Sequence, residues 1–379
     1  MSSLSDSEEN PMLIFIPDIS GFSAFVNNTD VAHSQHIIEE LLETIINANE
    51  IGLEVSEIEG DAVLFYKAGE MTSIKELFQQ VELIYTKFHT HLKMYEHTRI
   101  CQCGACSSAN NLKLKFVINF GDMRFNTIKD HVKLFGKEVI VSHRLMKNEV
   151  PHAEYVLFTN NVITDEKDRA EADSLGWGKL EQNSEEYDIG NIEYQYMTLD
   201  PLSQRIPVPH IESYGLKGAK TKILENNIII EAPINMVFDV LSDFSIRHFW
   251  SSRIKGSDKL NGKISRNGST HRCLINDNKY DPYFVAHDFK SSTGKIVFSE
   301  TDLRVGVSIV YELTMVDLAT TKIRTHSFVS GKYLKPLIFS LFFKKKFEKA
   351  GKESNAKLSD YCLNLLSEGL TPKTQIVLN

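Results

Sequence analysis

Two short stretches hold side chains whose types and spacing can do chemistry. In PDISGFS (17–23), Asp18 ends an apolar run, Met12 to Ile16, that reads as a buried strand, and Gly21 lets the backbone turn away beneath a ligand. In EIEGDAVLFY (57–66), Asp61 sits in a Gly60-Asp61 turn between two strand-like runs, which is a hairpin signal. Both acids are therefore expected to be exposed, where a pair of carboxylates can share metal ions. The alternative is two unrelated turn aspartates.

A second cluster is CQCGAC, with Cys101, Cys103 and Cys106. Three thiolates at that spacing suit zinc if His97 or His91 supplies a fourth ligand, and Cys103 with Cys106 alone makes a C-x-x-C of the redox type. Free thiols in a loop are the alternative. Five cysteines in a chain of this length do not make a secreted disulfide framework, so a reducing compartment is expected.

Whole-chain numbers limit what such sites can belong to. With 379 residues, two domains are expected rather than one core. A net charge of −8 and a pI near 5.9, with no basic stripe studded with aromatics, argue against nucleic acid as the main partner. The first apolar run is short and follows acidic residues, so no signal peptide is expected, and LIFSLFF (337–343) is too short to span a bilayer. A cytoplasmic protein without a transmembrane segment is the expectation.

The elements that must position these residues alternate through the first half. Ser34 to Asn49 and Ser73 to about Met94 carry apolar residues at helical spacing. LKLKFVINFG (112–121) alternates Leu112, Leu114, Phe116 and Ile118 with Lys113 and Lys115, the pattern of a strand with one buried face. Pro201, Pro207 and Pro209 then crowd a segment that neither a helix nor a central strand tolerates. This gives a disordered start at 1–10, a domain over 11–200, a linker at 201–219, a second domain over 220–368 and a tail at 369–379.

In the second half a strand (Asn227 to Glu231) leads into a helix bearing Val237, Phe238, Val240 and Leu241, followed by successive strand-like runs that suggest an antiparallel meander. A long helical stretch from about Pro336 to Leu366, interrupted near Gly351, closes the chain. A curved sheet and one long helix that bury each other's apolar faces enclose a cavity between them. The run beside Lys344, Lys345 and Lys346 reads either as the basic end of that helix or as a membrane-surface segment.

The first 200 residues resemble a divergent class III nucleotidyl cyclase domain, a branch filed as a domain of unknown function. PDISGFS resembles the family's first metal motif, EIEGDAVLFY the second, and LFGKEVIVSHRL (134–145) the third, a glycine followed by a helix ending in Arg-Leu. The resemblance implies a ferredoxin-like α+β fold in which Asp18 and Asp61, with the Ile19 carbonyl, hold two Mg or Mn ions. Gly21, Phe22 and Gly60 would lie against the nucleotide, and Arg144 would be the catalytic residue that stabilises charge on the transferring phosphate. It also implies a homodimer, because the family builds its site from metal aspartates of one subunit and the third motif of the other.

Two departures are visible. Where the family has an asparagine that orients the ribose, this chain has Ile140, which can donate no hydrogen bond. The positions implied to select the purine are Glu57, which resembles a guanine-selecting choice, and Lys133, which fits neither usual pattern.

Residues 220–368 resemble the START-like (SRPBCC, polyketide-cyclase-like) helix-grip superfamily, through IIIEAPINMVFDVLSDFSIRHFW (228–250), Gly-Ser-Thr-His (268–271) and the final helix. That resemblance implies an apolar ligand held between sheet and helix, with Trp250, His271, Tyr283 and Phe284 as cavity candidates. The expected function is a signalling-type protein in which a cyclase-like domain binds a purine nucleotide with divalent metal and a second domain senses a small apolar ligand. Whether the cyclase turns over is open. The alternative is a lipid or aromatic-ligand carrier whose first domain is a dimerisation scaffold.

Overall fold

A computed structural model describes residues 9–27, 31–98, 108–129, 131–175, 177–208, 220–252, 254–259, 270–275, 283–302, 306–330 and 344–370. The chain forms two compact units, Met1–Met94 with Ser107–Pro209, and Tyr95–Cys106 with His210–Asn379. Both are mixed α and β.

In the first unit, β1 (Asn10–Ser20), α1 (Phe22–Asn27) and α2 (Val31–Asn47) precede the hairpin β2 (Glu54–Glu59) and β3 (Ala62–Ala68) and the long α3 (Ile74–Thr98). Then come β4 (Lys113–Ile128), β5 (His131–Phe135), α4 (Lys137–Leu145), β6 (Tyr155–Thr159), α5 (Glu166–Ser174), β7 (Glu181–Tyr187) and β8 (Gly190–Thr198). The sheet order is β2-β3-β1-β4-β6-β8-β7, with β5 paired to β4 alone. Its first four strands have the split βαβ order of ferredoxin-like folds.

Period-2 alternation divides β1 between two layers. Met12, Ile14 and Ile16 pack with Val141 and Leu145 of α4, while Phe15 on the opposite face meets Phe65 and Phe116 edge-on. On α2, Ile37, Ile38, Leu41, Leu42 and Ile45 recur at helical spacing and are all buried, and Phe78 of α3 stacks on Phe158 of β6. Three expectations change. β1 begins at Asn10, inside the stretch read as disordered. β4 is buried on both faces at Phe116, Val117 and Ile118, because a central strand between two layers has no solvent side. The proline-rich segment opens as a 3₁₀ turn over Asp200–Arg205, where Pro201 sits at a first-turn position that needs no N–H donor.

The second unit starts with β9 (Lys220–Ile230), α6 (Ile234–Ser242) and the single turn α7 (Arg247–Trp250). The strands β10 (Ile254–Lys259), β11 (Thr270–Ile275), β12 (Tyr283–Ser292), β13 (Lys295–Asp302), β14 (Val307–Asp317) and β15 (Thr320–Ser330) pair antiparallel in the order β10-β11-β12-β13-β14-β15-β9. The closing helix α8 (Lys344–Ser367) runs unbroken through Gly351, where a break was expected. Its Leu358, Cys362 and Leu365 share one apolar cluster with Ile230, Phe298, Leu313 and Ile323 of the sheet. An i, i+4, i+7 stripe is what lets a helix bury one side on a sheet. Residues 337–343 lie outside the described residues. No helix among the described residues is long and apolar enough to cross a membrane.

Candidate functional site

The alternation that buries Met12, Ile14 and Ile16 carries Asp18 to the same side of the sheet as α4. There it stands in register with Ala62 of β3 and Lys115 of β4. The Ile19 N–H donates to the Asp61 carbonyl at 3.0 Å, so the hairpin turn is tied by its backbone to the end of β1. Gly60 takes a φ of +63° in that turn, a conformation glycine adopts without strain. Asp18 and Asp61 are thus brought together across the sheet, as their motifs imply. The expectation that both are exposed is corrected: Asp18 is 7% exposed and Asp61 is half-buried. Asp18 lies inside β1, flanked by strands on both sides, rather than beyond its end.

The electrostatics follow from this placement. Burial pushes the Asp18 carboxyl above its usual range, against the opposing pull of Lys115. Asp61 is also pushed up, by burial and then by the negative charge of Asp18. Lys115 Nζ lies 3.1 Å from Asp18 Oδ2 and donates to the Met146 carbonyl at 2.9 Å. Carboxylate oxygens such as those of Asp18 and Asp61 are the donors a hard cation takes, and Lys115 is the cation already beside Asp18. Sequence reasoning missed Lys115. Its only sequence signal was a place in an alternating strand, where a lysine reads as the solvated face.

Beside the turn, a cavity of about 340 Å³ opens between α1 and α2, with Phe22, Val26, Ile38, Leu42 and Gly60 in its wall. It brings together Phe22 and Gly60, two of the residues implied to lie against nucleotide. Gly21, with φ of +88°, turns the chain from β1 into α1.

Glu57 and Lys133 also meet: Lys133 Nζ donates to Glu57 Oε2 at 2.5 Å, linking β2 to β5. Glu57, Glu59 and His143 present carboxylate and imidazole atoms within 4.8 Å of one another, a grouping the sequence reading did not contain. Arg144 turns elsewhere, donating to Asp188 Oδ2 at 2.6 Å in the turn between β7 and β8. Ile140 is 49% exposed on α4. That helix is pinned from below: Asn119, fully buried on β4, donates to the Glu138 carbonyl at 3.0 Å and to Glu138 Oε2 at 2.9 Å. Gly121 completes the seat, since a Cβ there would fall 2.7 Å from Glu138 Cγ.

In the second unit Trp250 and Phe284 converge on one group, the guanidinium of Arg247, whose carbon lies 5.4 Å from each ring centre. Arg247 donates to Glu300 Oε2 at 2.6 Å and to the Tyr311 hydroxyl at 3.2 Å. Arg247, Glu300 and Tyr311 were not among the residues singled out from sequence. No local motif joins positions 53 residues apart or more. His271 falls on β11 and Tyr283 on β12, with side chains outside the described residues. Cys101, Cys103 and Cys106 lie outside the described residues as well, as does the His97 side chain; His91 pairs with Glu40 at 3.2 Å.

The profile of a family described as protein of unknown function (DUF2652) matches residues 38–155. An uncharacterized protein of Mycobacterium tuberculosis, Rv2561/Rv2562, is 31% identical over 186 residues, 48% of this chain and 83% of that protein. Solved structures similar to about half of the chain are adenylyl and guanylyl cyclase domains. One is the catalytic core of a rhodopsin-guanylyl cyclase with converted specificity, in complex with ATPalphaS, at a TM-score of 0.37 and 15% identity over 50% of this chain and 96% of that one. Another is the adenylyl cyclase CyaB from P. aeruginosa, at 0.35 and 13% over 50% and 94%.

Proposed function

The chain belongs to the family of the uncharacterized Mycobacterium tuberculosis protein Rv2561/Rv2562, and from that premise we propose that its first unit is a class III cyclase-like domain binding a purine nucleoside triphosphate with Mg or Mn. The observation that carries this reading is the joining of Asp18 and Asp61. The Ile19 N–H to Asp61 carbonyl bond fixes them as neighbours, and the charge of Asp18 pushes up the Asp61 carboxyl. A carboxylate whose charge raises its neighbour's cost of ionisation forms with it a donor set that a divalent ion relieves.

Asp18 and Asp61, with the Ile19 carbonyl, would hold the metal. When bound, it lowers the pKa of an attacking ribose hydroxyl and neutralises the triphosphate. Phe22 and Gly60 offer the adjoining cavity to the nucleotide. Arg144 acts on the phosphates of a second copy in a homodimer, leaving Asp188 to do so. Ile140 gives the ribose no hydrogen bond, so binding exceeds turnover. The second unit is a START-like helix-grip domain for a small apolar ligand, which biases the dimer geometry of the first. A specific observation favours a second reading, a ligand carrier with an inert first unit: Lys115 already neutralises Asp18.

The test is a thermal melt of the full chain with ATP or GTP, with and without MnCl2, beside an assay for cyclic product. Nucleotide should raise the melting temperature only when Mn is present, and Asp18→Ala should abolish the rise. No rise with either purine sinks the nucleotide reading and leaves the carrier.

A further inference from the structure

Glu57 and Glu59 stand two residues apart on β2 and pair with Leu64 and Ala62 of β3. Residues directly opposite on paired strands share one face of a sheet, and Leu64 and Ala62 pack with Val141 and Leu145 of α4. Both carboxylates are therefore on the α4 side of β2, the edge strand of its sheet. His143 of α4 meets them there. One oxygen of each glutamate and one ring nitrogen of the histidine lie within 4.8 Å of one another.

Hydrogen bonding does not account for this grouping. His143 Nδ1 and Glu59 Oε2 are 3.6 Å apart, beyond hydrogen-bond length, and among the described residues neither side chain makes a hydrogen bond. The separation suits two ligands of one ion, because metal–ligand bonds of about 2.1 Å place tetrahedral neighbours about 3.4 Å apart. Glu57 is already held in position. Lys133 of β5 donates to its Oε2 at 2.5 Å, as the outer partners of metal ligands do. Two carboxylates against one lysine leave the group a net negative charge, which a cation would balance.

We propose that Glu57, Glu59 and His143 bind a divalent transition ion of the zinc class. An imidazole among carboxylates selects such an ion over Mg or Ca, which take oxygen-only sets. The site is separate from Asp18 and Asp61. Glu59 and Asp18 flank Ala62 on opposite sides, two strand spacings or about 10 Å apart along the sheet. An ion there ties the edge strand to α4 beside the turn that carries Asp61, and it engages Glu57, the residue implied to face the purine. The proposal goes beyond the nucleotide reading and stands without it.

The test uses the full chain with Cys101→Ser, Cys103→Ser and Cys106→Ser, so that the CQCGAC thiolates do not compete for metal. Chelator-stripped protein is titrated with CoCl2 in excess MgCl2, which occupies oxygen-only sites. One equivalent of cobalt should bind with the visible absorption of an ion held by nitrogen and oxygen, and ZnCl2 should displace it. His143→Ala and Glu59→Gln should each weaken that binding at least about tenfold, the least that losing even an outer partner of a metal ligand costs. Both positions are partly exposed, so the metal-free melting temperature should not move. Asp61→Asn should leave the cobalt titration as it was. Absence of cobalt uptake overturns the proposal, as does uptake that His143→Ala does not change. Uptake lost in Asp61→Asn and kept in His143→Ala assigns the ion to the acid pair, which overturns this site and leaves the nucleotide reading standing. Failure of Mn-dependent nucleotide binding beside a His143-dependent cobalt site removes that reading alone.

Discussion

Lys115 and Asp18 face each other directly across the β1–β4 register and form an ion pair of 3.1 Å with side chains only 18% and 10% exposed. An ammonium held there and at the Met146 carbonyl does part of what a metal would do, balancing one of the two carboxylates. It also opposes a divalent ion by like charge. Lys115→Met should therefore destabilise the metal-free protein by about 2–3 kcal/mol, less than a fully buried pair would cost. Saturating MnCl2 should restore more melting temperature to Lys115→Met than it adds to the wild type. Equal gains would mean that Lys115 and metal do not compete.

The pH dependence of Asp61 has a definite sign. A carboxyl whose folded pKa is raised binds its proton more tightly folded than unfolded, so that share of stability is present at low pH. It is lost as pH rises from the ordinary 3.8 through the raised value. Asp61→Asn should melt higher than the wild type near neutral pH without metal, with the gap closing as pH falls through that window. Added Mn should narrow the gap from the other side by stabilising only the wild type. Melts across pH 3 to 7, the span over which carboxylates titrate, would reveal a parallel offset if the argument is wrong.

Arg144 and Asp188 are 44% and 62% exposed, so their pair contributes less than about 1 kcal/mol. Asp188→Ala should barely move the melting temperature. It should strengthen MnATP or MnGTP binding by a few-fold, because it frees the guanidinium for phosphate. Calorimetry of both variants, with Arg144→Ala as the opposite control, checks this.

Ile140 is half exposed, so Ile140→Asn should cost under about 0.5 kcal/mol, as surface substitutions do. If lack of a ribose contact is what limits turnover, the variant should make cyclic product about 10²-fold faster than wild type, the scale of one positioned donor. Unchanged product at unchanged nucleotide affinity would place the defect elsewhere, with Lys115 the first suspect.

In the second unit, Glu300→Ala should destabilise by about 3–5 kcal/mol through the stranded Arg247 charge, whereas Arg247→Met with Glu300→Leu should lie within about 1–2 kcal/mol of wild type. Chemical denaturation of the three proteins separates these outcomes.

What the sequence made legible were features written locally. The apolar run of β1, the Gly60-Asp61 hairpin and the helical spacing of Ile37, Ile38, Leu41 and Ile45 each depend on neighbours a few positions away. So does the Gly136 start of α4. What stayed hidden depends on register and layering. Lys115 reads as solvated because alternation specifies two faces but not whether both are covered; its long stem lets the ammonium reach the Met146 carbonyl from a buried strand. Glu300 in GKIVFSETD reads as an outward polar residue, and only the pairing of β12, β13 and β14 aims it inward at Arg247. The same limit hid the Asn119 seat under α4, which joins residues 19 and 40 positions apart.

The bond from the Ile19 N–H to the Asp61 carbonyl has an evolutionary side. Because main chain rather than side chain holds the two acids near each other, their spacing is inherited with the sheet, and selection for folding alone preserves it. Position 140 has no such protection: an exposed helix residue can drift without a stability penalty. On the proposed reading, the acidic pair would therefore outlast any loss of the contact expected at position 140.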